Sequence, residues 1–205
     1  RRCGKAVLEM LDCAHGQAPE LFDWIEAPPH FRAGFEFFER IEHTDAMLWA
    51  VQRLLAQDPD AQALVMVPEI NPTPQLQERF TERFAHLGAE RVVAMHSGLT
   101  PAQRLKSWLA AHSGQARLIL GTRMAVLASM PWLQLIVVDE EHDPSYKQQE
   151  GARYSARDLA VYRGRLQNAP VLLASATPSL ESWHHSRPAT EGEPSGRYQR
   201  LLMPS

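Results

Sequence analysis

Four consecutive polar residues, Asp139-Glu140-Glu141-His142, follow the apolar run Leu135-Ile136-Val137-Val138. Two carboxylates at the end of an apolar strand suit metal-assisted chemistry on a nucleotide. Asp139 would hold Mg²⁺ on the phosphates through water, because Mg²⁺ takes hard oxygen ligands and keeps most of its waters. Glu140 would activate the attacking water. This is the arrangement known as Walker B. A solvated acidic turn is the other reading these residues allow. Ser175-Ala176-Thr177-Pro178 closes another apolar run. Alone, it also reads as a helix start, with Thr177 as N-cap and Pro178 at the first helical position.

Such residues converge only if the strands before them lie side by side. The runs 63–67, 91–95, 117–120, 134–138 and 171–174 are short and apolar, as buried parallel strands are. Amphipathic helical patterns separate them. One begins at Thr44 and carries Leu48, Val51, Leu54 and Leu55; one runs from Pro74 to Leu87 with Gly88 as its stop. A third opens on Thr100-Pro101 with Gln103 completing a capping box, and carries Leu105, Trp108 and Leu109. A fourth runs over 155–166. Trp49 and Trp108 lie on apolar helical faces and read as core. The alternation predicts an α/β fold, an open and mostly parallel sheet with helices on both faces. Ligands of such sheets sit at the carboxyl ends of the strands. There the sequence places Pro68 to Gln75, His96-Ser97-Gly98, Gly121-Thr122-Arg123, Asp139 to His142, and Ser175 to Pro178.

Three zones emerge. Residues 1–43 are poorly patterned: 5–14 reads as one short helix, and a Pro- and aromatic-rich stretch follows. Residues 44–182 form the α/β domain. Residues 183–205 read as a linker or tail, His184-His185 included. The 205 residues carry 44% hydrophobic and 22% charged side chains, which excludes a disordered acidic chain or a disulfide scaffold. No apolar run is long enough to span a bilayer, so no membrane association is expected. The net charge of −3 provides no global basic field, so any nucleic-acid contact needs a local patch. Cys3 and Cys13 fit no zinc spacing. The chain begins at Arg1 without a signal-peptide pattern and reads as a piece of a longer cytoplasmic protein.

Together these segments resemble the first RecA-like domain of superfamily 2 helicases, and more narrowly the PriA family of replication-restart DNA helicases. The matching pieces are Ala63 to Ile70, Thr73-Pro74-Gln75, His96 to Leu99, Gly121-Thr122-Arg123, Ile136 to His142, Ser145 to Gly151, Arg153-Tyr154, Ala156 to Ala160, and Ser175 to Pro178. The resemblance implies a RecA-like P-loop NTPase fold. It implies that Asp139 coordinates Mg²⁺ through water, that Glu140 activates the hydrolytic water of ATP, and that Ser175 and Thr177 link nucleotide state to movement. Thr73, Gln75, Gly121, Thr122 and Arg123 would line a single-stranded DNA path. Hydroxyls, backbone N–H groups and an arginine are the groups that phosphate contacts use. The loop 143–157 would couple DNA to hydrolysis. Tyr146 and Tyr154 would stack on bases, and Lys147, Arg153 and Arg157 would meet phosphates. Ala152 stands where the family commonly has an aromatic residue. The partners implied are single-stranded or forked DNA and other primosome proteins. The family's zinc-binding cysteines would fall beyond Ser205, so zinc is not expected here.

One departure is severe. The family requires GxxxxGK[ST] before the first helix, where backbone N–H groups and a lysine hold the phosphates. Thr44 occupies the Thr position and His43 the lysine position, preceded by Phe37-Phe38-Glu39-Arg40-Ile41-Glu42. The chain's three lysines, Lys5, Lys106 and Lys147, all lie elsewhere. Bulky side chains and two acids would replace the phosphate nest. The chain is therefore expected not to turn over ATP by itself. Three readings stand: a segment of an ATP-dependent DNA helicase, a non-catalytic DNA- or partner-binding module, or a decayed or frame-shifted copy in which 1–43 has a separate origin.

Overall fold

The structure, a computed structural model, describes residues 7–11, 43–68, 80, 82–187 and 196–202. The described strands form one sheet: β1 (Val7–Leu11), β2 (Gln62–Met66), β3 (Val92–Met95), β4 (Leu118–Gly121), β5 (Leu133–Val138), β6 (Val171–Ser175) and β7 (Tyr198–Leu202), in the order β3-β4-β2-β5-β6-β1-β7. The pairs β3–β4, β4–β2, β2–β5 and β5–β6 are parallel, whereas β1 runs antiparallel to both β6 and β7. The α-helices whose bounds fall within the described residues are α1 (His43–Gln57), α2 (Pro101–His112), α3 (Ala156–Gln167) and α4 (Leu180–His185).

Strand alternation divides the core into two layers. From β2, Ala63 and Val65 join Leu48, Val51 and Leu55 of α1, with Phe80 and Phe84. Leu64 and Met66 point the other way, into a cluster with Ala110 and Ala111 of α2 and Ala156 and Ala160 of α3. Both faces of β2 are buried, which accounts for its continuous apolar run. Two buried polar side chains close the base of the sheet. Gln62 Nε2 donates to the carbonyls of Ala111 and Ala116 at 2.8 and 2.7 Å, and its Oε1 accepts from Trp132 N. Arg117 donates to the carbonyls of Leu55, Asp58 and Ala61, satisfying groups that the end of α1 leaves open.

The capping box at Thr100 forms as expected, with Thr100 Oγ1 accepting from Gln103 N and Gln103 Oε1 from Thr100 N. Gly88 has φ 94°, in keeping with a stop that favours glycine. The helix start at Pro74 lies outside the described residues. Four expectations need correction. Residues 7–11 form a strand, not part of a short helix. So short a helix is marginal in isolation, whereas the open edge of β6 offers ladder partners. The tail contributes α4 and the edge strand β7. Helix α4 is capped by Ser179 rather than Thr177. On α2, Leu105 (59% exposed), Leu109 (55%) and Trp108 (38%) are not core. This helix packs through Ala110 and Ala111 beside the edge strand β3.

Gly164 marks where α3 approaches the sheet most closely. A Cβ there would lie 2.3 Å from Val171 Cγ2 and 2.6 Å from the Ala169 carbonyl. Gly164→Ala should therefore destabilise by about 1–3 kcal/mol despite alanine's better helix propensity. A lower urea midpoint with unchanged slope would show it.

Candidate functional site

The carboxyl ends of the five parallel strands meet, tied by backbone hydrogen bonds that continue past the strands. Val67 N donates to Gly121 O, Thr122 N to Met95 O, Asp139 N to Met66 O, and Glu141 N to Ala174 O, at 2.9–3.1 Å. The Gly121 segment, the acidic turn and Ser175 thus share one edge. Gly121 is required there, since a Cβ would meet the Met95 carbonyl at 2.6 Å and Ala125 Cβ at 2.3 Å.

The acidic turn has divided roles. Asp139 is buried at its base and accepts from Glu140 N at 3.0 Å. Glu140 has a left-handed backbone, φ 45°, and a partly exposed carboxylate 3.4 Å from His142 Nδ1. His142 Nδ1 lies 2.7 Å from Ser175 Oγ, and its Nε2 3.5 Å from Thr177 Oγ1; Ser175 Oγ also accepts from Thr177 N. The two segments that sequence marked as chemical are therefore in direct contact. Glu141 points away from them. It is 2% exposed and accepts from Ser179 N and Oγ, Ser182 Oγ and Arg157 Nη1.

The loop after the turn is stapled to it. Asp143 accepts from Ser145 N, and residues Pro144–Tyr146 form a 3₁₀ turn. Tyr146 is 1% exposed, and its hydroxyl donates to the Asp139 carbonyl at 2.6 Å. Burial, reinforced by the carboxylates of Asp139, Asp143, Glu140 and Glu141, pushes its pKa well above the ordinary tyrosine value. Arg123 Nη1 donates to Ser145 O at 3.2 Å, joining the Gly121-Thr122-Arg123 segment to the same loop. Gln148 N donates to Tyr154 O, and Lys147 bridges Ser155, which caps α3.

Three assignments change. Thr122 is 2% exposed, so its hydroxyl does not face a DNA path. Tyr146 cannot serve as a stacking platform in this conformation, because its ring is core and packs in the cluster of Leu64 and Ile136. Arg157 does not face outward to phosphates. Its guanidinium is paired with Glu141 at 3.1 Å and Asp158 at 2.8 Å and donates to Ser179 Oγ. Burial works against its charge, and the carboxylates of Asp158 and Glu141 outweigh that and hold its pKa above the ordinary value. Lys147 and Arg153 are exposed and Tyr154 is half-buried. Thr73 and Gln75 lie outside the described residues. Sequence reading missed Ser179 and Ser182. The spacing of a serine three residues before another at a helix start was the available signal, masked by Thr177-Pro178.

The acid pair fits a hydrated Mg²⁺: one buried and one partly exposed carboxylate at a polar edge is the donor set this ion accepts, with water filling the rest. A triphosphate is not matched by the residues on the α1 side. A phosphate loop is a strand–loop–helix unit. The residue at the lysine position is His43, already helical. Thr44 lies in the same helix. No group of three or more His, Cys, Asp or Glu side chains among the described residues could hold a metal. Nor is any described helix long and apolar enough to cross a membrane.

Residues 44–185 match the DEAD/DEAH box helicase family. The chain is 45% identical over 142 residues to the replication restart protein PriA of Haemophilus influenzae, covering 69% of this chain and 18% of that protein. It is 41% identical over 140 residues to PriA of Bacillus subtilis, covering 68% and 17%. The chain thus spans less than a fifth of these relatives. Among solved structures, the DUF1998 helicase MrfA overlaps 78% of this chain and 29% of its own, at 16% identity and a TM-score of 0.46.

Proposed function

The chain belongs to the DEAD/DEAH box helicase family, and from that premise we propose that it is the acid-motif segment of a PriA-like replication-restart motor, contacting single-stranded DNA through the loop that follows the acids. One observation carries this reading: the exposed loop that bears Lys147 and Arg153 is stitched both to the acid motif, through Tyr146 and the Asp139 carbonyl, and to the Gly121 segment, through Arg123 and the Ser145 carbonyl. A strand lying along this edge would meet Arg153 and Lys147 at its phosphates and the open face of Tyr154 at a base. Thr73 and Gln75 would extend the path.

The family uses ATP and Mg²⁺ in general. Bound Mg²⁺ would neutralise charge developing on phosphate oxygens. This chain's own contribution is Asp139 as an anchor for the hydrated ion and Glu140 as an acceptor for a water proton. Turnover would need a phosphate cradle that residues 37–44 do not provide. Forked DNA and primosome proteins would be engaged by the longer protein.

Fluorescence anisotropy with a labelled oligothymidylate tests the DNA reading. Arg153→Ala and Lys147→Ala should each weaken binding and reduce the salt slope by about 1. Tyr154→Ala should weaken it about tenfold, the loss of one stacked base. Unchanged affinity in all three would remove this loop from the DNA path.

A further inference from the structure

Glu140 sits in a left-handed backbone conformation with φ 45°, which disfavours a residue with a Cβ by roughly 5- to 30-fold. Such a conformation persists only where its surroundings over-determine it. The next residue shows what does so. Glu141 is fixed along its backbone by the bond from its N to the Ala174 carbonyl. Its side chain is fixed by four donors: Oε1 accepts from Ser179 N, and Oε2 from Ser179 Oγ at 3.0 Å, Ser182 Oγ at 3.0 Å and Arg157 Nη1 at 3.1 Å. Arg157 is itself held by Asp158 and Ser179. On the other side of Glu140, Asp139 is pinned through its backbone N to Met66 O, and the turn closes by Asp143 N donating to Glu140 O at 2.8 Å. The Glu141 side chain therefore adds a buried anchor, one residue on, to the backbone bonds that hold this turn.

We infer that Glu141 and Arg157 are positioning residues: their buried pair holds the Glu140 backbone in its left-handed state and so keeps the Glu140 carboxylate beside His142. Because Arg157 lies in the first turn of α3, both ends of the loop 143–155 are anchored on the acid motif, one through Tyr146 and the other through Arg157. A displacement of that loop would reach Glu140 through this pair. Its bearing on nucleotide chemistry rests on the function proposed above, whereas the clamp itself can be tested without DNA or ATP.

A double-mutant cycle decides it. Removing Arg157 alone strands a buried carboxylate and can prevent folding, so the clamp is removed by the charge-balanced pair Glu141→Gln with Arg157→Gln. In the native background Glu140→Gly should raise the folding equilibrium constant by roughly 2- to 10-fold, since backbone relief exceeds glycine's entropic cost. In the clamp-free background the same change should give no gain or a loss of about 2-fold, because the strain has already gone. The His142 imidazole ¹⁵N resonances should move in the clamp-free protein. An equal gain in both backgrounds is what independent sites give and would overturn the inference. So would no gain in the native background, or unmoved His142 resonances.

Discussion

Tyr146→Ala is expected to cost about 3–5 kcal/mol of stability, the usual range for an aromatic side chain removed from a core. Tyr146→Phe is expected to cost only about 1 kcal/mol, the hydrogen bond to the Asp139 carbonyl. The ring is fully enclosed between the sheet and α3, so its loss leaves a cavity that neighbouring alanines cannot fill. Urea unfolding measures both. The contrast with DNA binding matters most. A base platform would lose affinity in the alanine variant under conditions where the protein stays folded, and the phenylalanine variant would bind fully. A core residue instead lowers the stability of Tyr146→Ala and leaves the DNA affinity of its folded fraction unchanged; Tyr146→Phe binds fully on either account. If Tyr146→Ala folds as stably as the native chain, the ring is not core.

The second large effect is an absence of turnover. With Phe37, Phe38, Glu39, Arg40, Ile41, Glu42 and His43 in place of a glycine-rich loop and lysine, the chain lacks several donors to the phosphates at once. Losing one preorganised donor in an active site costs roughly 10²- to 10³-fold in rate. ATP hydrolysis should therefore stay at the buffer rate with or without single-stranded DNA, although Asp139 and Glu140 are in place. A coupled assay at saturating Mg-ATP checks this. DNA-stimulated turnover that disappears in Glu140→Gln would show that some other group holds the phosphates.

The parallel part of the sheet was legible because β2, β4 and β6 are buried on both faces and read as uninterrupted apolar runs, with polar residues beginning where they end. The contact of His142 with Ser175 follows from that register. The rest depended on partners that local sequence does not announce. Residues 7–11 became a strand because β6 has an open edge. Leu105, Trp108 and Leu109 carry a helical core pattern, but α2 lies at the margin of the sheet and leaves them in solvent. Tyr146 sits in a polar run, Pro144 to Gln149, that reads as exposed, and only the fold brings its hydroxyl to the Asp139 carbonyl. Arg157 did carry a signal. A cation in the first turn of a helix opposes the macrodipole and calls for a carboxylate partner, which here are Asp158 beside it and the buried Glu141.

On the function proposed above, this chain presents a DNA-contacting edge joined to an acid motif without a phosphate cradle. Anisotropy titration of a labelled oligothymidylate, with and without saturating Mg-ATP at two salt concentrations, tests it most directly. At matched free Mg²⁺ and ionic strength, salt-dependent binding with the same Kd in the presence and absence of ATP is the expected result. A Kd that shifts with Mg-ATP, or no binding at either salt concentration, would contradict it.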